Sequence, residues 1–417
     1  MTKTCVCVLL SVLLLAACAH GPDSDSEPLE RAGEAVEAVA LEQALDRRTS
    51  IWELEVKRTA AGLVIEGKTD RPELLEELRQ KLQLRGSAVQ IRVAVLPDDA
   101  VDVADRTWAL VSVPVASVTG KPAFAAALTT QAVMGTPLRV LERQGPFWRV
   151  QMPDGYIGWV HGLQIARLTE AELSAWNSAD HVVVTARDGV LRDEIGNVLS
   201  PLVLGTILRR VKTGSDTVIV RLPDGGTGSI SAADVCDAED FYARWNKRRE
   251  AGGEEYVSAL IETAESLLGV PYLWGGTSEH GVDCSGFISL LYRLSGVIVA
   301  RDADQQLAQS QQDNLASSMP ARGRLLGFGR KDGDGKRVVE HIALSLGQGD
   351  FIHSLGSVRI ESLSPNSPRF SAYESARYLG AYVLDSELRA VPCASTIGDN
   401  GFYQAPPQEL QPCRLAP

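Results

Sequence analysis

The hydrophobic pattern changes period several times along this 417-residue chain. After Lys3 an apolar run extends to Ala17, too short for a spanning helix and typical of a cleaved secretory leader over residues 1–17. Residues 18–48 begin small, polar and acidic (Gly21-Pro22-Asp23-Ser24-Asp25-Ser26-Glu27) and predict a tether. Trp52–Val56 and Leu63–Glu66 look like strands, and Val89–Val95 alternates with period two. Between them Arg71-Pro72 opens a charged helical stretch to about Leu84, with the proline near the first helical position. These elements predict a small α+β module over residues 49–106.

The next stretch repeats itself. Val150-Gln151-Met152-Pro153-Asp154-Gly155-Tyr156-Ile157-Gly158-Trp159-Val160 matches Val220-Arg221-Leu222-Pro223-Asp224-Gly225-Gly226-Thr227-Gly228-Ser229-Ile230. Each copy is two strand-like runs joined by a Pro-Asp-Gly turn, where Gly supplies the backbone freedom. Short strands at this spacing predict two small all-β barrels, over 107–172 and 178–238. The second copy lacks the Tyr and Trp of the first and reads as structural.

From 254 to 385 the period becomes helical. Apolar residues at 256, 257, 260, 261, 264, 267 and 268 predict a helix, ended by Gly269 and Pro271. A second helical run, Phe287, Ile288, Leu290, Leu291 and Leu294, follows Asp283-Cys284-Ser285-Gly286. Further on, His341–Leu346 alternates, Gly347-Gln348-Gly349 turns, and Asp350–His353 returns. A three-residue loop pairs Leu346 with Asp350, and hence Ala343 with His353. His341 and His353 then lie diagonally on one face, about 7–8 Å apart in backbone terms. Residues 386–417 form a Pro-rich tail.

Composition narrows the function. A net charge of −12 and a pI near 5.1 argue against a general nucleic-acid binder or a polybasic membrane-surface protein. Seven cysteines are too few for a disulfide-dense scaffold. The chemistry gathers at Cys284, which starts a buried helix with Asp283 as its cap. A helix N-terminus favours the thiolate, and the thiolate is the nucleophile. A base is also required, and of the six histidines only His341 and His353 fall in the hairpin. One imidazole oriented by a second polar group is the base-plus-orienter arrangement. No metal-ligand spacing such as His-Glu-x-x-His appears, so neither metal nor cofactor is expected.

Pro271-Tyr272-Leu273-Trp274-Gly275-Gly276, Asp283-Cys284-Ser285-Gly286, and His341 followed twelve residues later by His353 together resemble the NlpC-type family of papain-like cell-wall cysteine peptidases. The repeated barrels resemble tandem bacterial SH3-like domains. The expected architecture is therefore multi-domain α+β: a small N-terminal α+β module, two all-β SH3-like barrels, and a papain-like α+β peptidase domain. The resemblance implies Cys284 as nucleophile, His341 as general base and His353 as the third polar residue. Tyr272 would lie near the developing oxyanion, and the Cys284 amide would donate to it.

Relatives with a leading SH3-like pair look like γ-D-glutamyl-L-diamino-acid endopeptidases, which act on peptidoglycan stem peptides with a free N-terminal L-Ala. In them the first barrel closes one end of the groove. The matching positions are Tyr156, Asp283, Ser285, Asp302 and Ala303. One departure stands out. Relatives often carry an amine-contacting Glu before a Leu-x-Thr-Gln run, and here Ala127 precedes Leu128-Thr129-Thr130-Gln131. Either another acid supplies that charge, or the need for a free amine is relaxed. The alternatives are a sacculus-acting endopeptidase without amine selection and an inactive wall-binding protein.

Leu15-Ala16-Ala17-Cys18 resembles the bacterial lipoprotein box, which implies lipidation at Cys18. Lipid chains then anchor the protein to a membrane at about 0.8 kcal/mol per buried CH₂. Ala19 after the cysteine favours the outer over the inner membrane, so a periplasmic lipoprotein is expected; separately, a monomer is expected. In that oxidising compartment Cys393 and Cys413 could pair, or Cys236 could pair with either.

Overall fold

The computed structural model describes residues 26–84, 89–100, 102–251, 253–313, 319–384 and 394–410. The leader, Cys18, Cys393 and Cys413 lie outside the described residues.

The N-terminal module is a three-stranded sheet under two helices. Trp52–Thr59 runs antiparallel to Gly62–Thr69, which pairs in parallel with Val89–Val95. A parallel pair needs a crossover, and the helix Leu74–Leu84 provides it. The second helix, Ser26–Glu42, lies within the segment expected to be a tether. Its Ala32, Ala35, Val36 and Val39 repeat at i, i+3, i+4 and i+7 and are buried against Ile65 and Leu78. The acidic flanks of this stretch hid a narrow apolar stripe.

Each barrel is a seven-stranded sheet with the same strand order: last, first, fourth, fifth, sixth, second, third. The sequence repeat sits in matching register, Val150 opposite Gly158 in one and Val220 opposite Gly228 in the other. In both turns the Gly of Pro-Asp-Gly has a positive φ, +85° at Gly155 and +89° at Gly225. Helix Glu170–Asn177 joins the barrels, with Thr169 and Glu172 forming a reciprocal capping box.

In the last domain, helix Glu254–Ser266 begins and ends two residues earlier than the apolar period predicts. Helix Cys284–Leu294 buries Phe287, Ile288, Leu290 and Leu291 against Ile342, Leu344 and Ile352 of a six-stranded antiparallel sheet. The His341 strand, Arg337–Gly347, pairs with Asp350–Leu355 through Leu344↔Ile352 and Ser345↔Phe351. That register is the expected one. At the turn it shifts, and Gly347 rather than Leu346 meets Asp350. Gly347, Gln348 and Gly349 all adopt positive φ there, so the turn takes fewer residues than expected and a bulge absorbs the difference.

The described part of the C-terminal segment is packed, not a free tail. Ser395–Thr396 pairs with Val297–Ile298. Phe402 is fully buried, edge-on to Trp108 at 5.0 Å, and Asn177 donates to the Phe402 and Gln404 carbonyls. Cys236 is a free thiol, 3.9 Å from the Thr185 hydroxyl. Among the described residues no helix is long and apolar enough to cross a membrane.

Candidate active site

Cys284 is the first residue of its helix, and Asp283 is the N-cap. The Asp283 carboxylate accepts from the Gly286 amide at 2.6 Å and the Gly275 amide at 2.8 Å. It therefore ties the Trp-Gly-Gly loop to the helix start. The two glycine motifs are needed because the backbones touch: a Cβ at Gly286 would lie 1.9 Å from the Gly276 carbonyl oxygen. Arg301, 1% exposed, donates to both Asp283 oxygens at 2.6 and 3.1 Å, to Ser285 Oγ at 2.9 Å and to Thr130 Oγ1 of the first barrel at 2.9 Å. Sequence reasoning passed over Arg301, because nothing in its local pattern marks it as buried.

His341 Nε2 lies 2.8 Å from His353 Nδ1, so the two histidines do meet across the hairpin. Phe328 and Phe351 flank them, at ring distances of 5.8 Å from His341 and 4.9 Å from His353. Both histidines are buried, and His353 is fully so. Burial takes His341 down to about 3, with the neighbouring His353 adding to the effect, and takes His353 down to about 3. Both rings are thus neutral at pH 7. Burial pushes the Cys284 thiol up to about 11, helped by the Asp283 charge and opposed by the Ser285 and Ile342 amides. The helix start is present, as expected, but desolvation outweighs it. Burial thus favours a neutral thiol at Cys284 and neutral rings at His341 and His353.

Cys284 and His341 line one cleft of about 550 Å³ with Tyr272, Asp283, Ser285, Asp302, Ala303 and Tyr156. Every cleft residue expected from the sequence is there. Burial, with the charges of Cys284 and Asp283, raises Tyr272 to about 12. Burial and Asp302 do the same to Tyr156. Ala127 is exposed and does not line the cleft; Thr129, two residues on, does. Gln131 holds this barrel to the peptidase domain through the amide and hydroxyl of Thr277 at 3.0 and 3.1 Å.

Two further groups line the cleft. On one side Arg377 pairs with Glu340 at 2.9 Å and Glu374 at 3.3 Å and lies over the Tyr373 ring. On the other, Arg48 of the N-terminal module donates to Asp302 at 2.9 Å, to both oxygens of Asp304 at 2.8 Å, and to Asp46 at 2.7 to 3.0 Å. These contacts engage all five guanidinium N–H groups. Asp302 is raised, first by burial, against the pull of Arg301 and Arg48. No sequence signal marks Arg48, which lies 254 residues from Asp302.

Nitrogens of His341 and His353 and an oxygen of Glu374 fall within 4.8 Å of one another, a possible metal donor set. Two imidazole nitrogens sharing one zinc ion stand about 3.3 Å apart in tetrahedral geometry. The 2.8 Å contact between the rings fits a shared proton better.

The domains that carry this cleft are similar to known proteins. Residues 269–377 match the NlpC/P60 family, and residues 119–165 match the bacterial dipeptidyl-peptidase Sh3 domain. The chain is 28% identical over 265 residues to a Bacillus cereus protein named γ-D-glutamyl-L-lysine dipeptidyl-peptidase, covering 60% of this chain and 74% of that one. It is 29% identical over 275 residues to dipeptidyl-peptidase 6 of Lysinibacillus sphaericus, covering 63% and 94%. The fold matches the crystal structure of an NlpC/P60 family protein from Bacillus cereus with a TM-score of 0.55 and 23% identity, covering 66% of this chain and 98% of that one.

Proposed function

Because residues 269–377 are an NlpC/P60 domain fronted by a bacterial SH3 domain, we propose that the chain is a cysteine peptidase of peptidoglycan stem peptides. It hydrolyses the bond between γ-D-Glu and the L-diamino acid. The observation that carries this is one cleft lined by Cys284, His341, Tyr156 and Arg48, with His353 buried behind His341 at 2.8 Å.

The chemistry follows from the geometry. Cys284 sulfur attacks the amide carbonyl while its proton passes to His341, which is neutral and able to accept it. The Cys284 amide, at the helix start, faces the developing oxyanion together with Tyr272, whose phenol stays protonated. His341 then gives the proton to the departing amine. Water, deprotonated by the same imidazole, releases the acyl group from sulfur.

Two substrate readings separate at Asp302 and Tyr156. A free N-terminal ammonium would seek Asp302 and Tyr156. Arg48 already answers Asp302, which favours the second reading, a hydrolase that tolerates acylated or glycan-linked stems. The resemblance of Leu15-Ala16-Ala17-Cys18 to a lipoprotein box supports a periplasmic enzyme anchored through Cys18, with the outer membrane preferred.

The test is incubation with L-Ala-γ-D-Glu-diaminopimelate and its N-acetylated form. Release of the L-Ala-γ-D-Glu unit, lost in Cys284→Ala, is expected. Comparable rates on both forms support the tolerant hydrolase, and cleavage of the free form alone supports amine selection. No cleavage of either, with wall binding retained, overturns the peptidase.

A further inference from the structure

The histidine pair has a neighbour that the proposed reaction has not used. Strand Ser357–Ser362 pairs with the His353 strand so that Arg359 stands opposite His353 and Glu361 opposite Phe351. Glu361 is therefore diagonal to His353 on the same face. Its Oε2 lies 3.5 Å from His353 Nε2. Both atoms are buried, and among the described residues neither makes a hydrogen bond, so each is the nearest polar group left to answer the other. The other carboxylate oxygen, Oε1, takes Arg359 Nη2 at 2.5 Å.

We infer that Glu361 is a positioning residue for the peptidase chemistry: it fixes the tautomer of His353, and through it that of His341. This rests on the cysteine-peptidase assignment but not on which stem peptide is cut. With a carboxylate at its Nε2, His353 keeps its proton there. Its Nδ1 is then a pure acceptor. His341 Nε2, 2.8 Å away, must donate to it. The proton of His341 is thereby held on Nε2, and its Nδ1 carries the lone pair that takes the Cys284 proton. A neutral imidazole can exist in either tautomer, and only this one is a base toward sulfur. Both rings are neutral over the working range, so the tautomer decides.

The other charged groups near the pair do not do this. Glu340 is spent on Arg330 and Arg377. Glu374, whose Oε1 is also buried and unpartnered, pairs through Oε2 with Arg377, and burial raises it toward the neutral acid. Arg359 and Arg377 can only donate.

Glu361→Gln gives the test a direction. Arg359 can only donate, so an amide that keeps this contact turns its oxygen to Arg359 and its NH₂ to His353 Nε2. His353 must then carry its proton on Nδ1 and donate to His341 Nε2. His341 is left protonated on the nitrogen that should act as base.

The readout is alkylation of Cys284 by iodoacetamide in the purified full-length chain, followed peptide by peptide with mass spectrometry from pH 5 to 9. It needs no peptidoglycan substrate. In the wild type, base-assisted attack gives a nearly flat profile. In Glu361→Gln at least a tenfold loss at pH 7 is expected, with a rate that climbs about tenfold per pH unit, as for an unassisted thiol. Peptidase turnover should lose kcat with KM little changed, and the melting temperature should stay near wild type. Glu374→Gln should keep the flat profile. An unchanged profile in Glu361→Gln, or the same change in Glu374→Gln instead, overturns the assignment. Should Glu361→Gln not fold, ¹⁵N spectra of the wild-type imidazoles decide: Nε2–H on both rings is expected, and Nδ1–H on His353 refutes it. If stem peptides are not cut but the profile is flat and Glu361-dependent, the substrate proposal fails and this one stands.

Discussion

Replacing Arg301 by Met should unfold more than it should disarm. Arg301 is 1% exposed, and its guanidinium compensates Asp283, which is itself buried. Met keeps much of the stem volume and removes the charge. The Asp283 carboxylate would retain the Gly275 and Gly286 amides but lose its only counter-ion contact among the described residues. Breaking one partner of a buried pair costs about 3–5 kcal/mol, chiefly because the other charge stays buried. Removing both is far cheaper, so Asp283→Asn with Arg301→Met should recover about half of the loss or more. Urea unfolding followed by tryptophan fluorescence measures both. The same cap sets the position of Cys284, so kcat in the folded fraction of Arg301→Met should fall on the order of a hundredfold. Loss of less than about 1 kcal/mol in Arg301→Met, or no recovery in the double variant, would refute the view that this pair holds the nucleophile's helix.

Arg48→Ala removes the cation paired with Asp302, so preference for a free over an acetylated N-terminus should rise by up to about fivefold in kcat/KM, the scale of one partly exposed ion pair. An unchanged ratio would mean Arg48 does not face the ligand's amine end. Asp154 is raised by burial to about 6, against an ordinary value of 3.8. An acid whose folded value is raised contributes stability that is complete below about pH 4 and is lost as pH rises through about 6. The melting temperature should fall across that window, and Asp154→Asn should flatten the fall.

How much was legible in the sequence differs between elements. The barrels announced themselves because the Pro-Asp-Gly turn and its flanking strands are local, and the repeat doubled the signal. The hairpin register was also legible, since side-chain period two and a short turn fix which residues share a face. The turn itself was not, because three successive positive-φ residues at 347–349 made room for a bulge. The helix at Ser26–Glu42 was missed because small alanines carry little hydrophobic signal until a sheet buries them.

The sequence by itself marked Cys284 at a helix start, the two histidines on one face of a hairpin, and the glycines of the two motifs. Those groups act through spacing along the chain and through local backbone geometry. Tertiary structure alone decided which polar groups meet: Arg301 with Asp283, Arg48 with Asp302 across 254 residues, and Glu361 with His353 across a strand register. It also decided that Cys284 rests as a thiol, since the helix start favours the thiolate but burial, invisible in the local pattern, outweighs it.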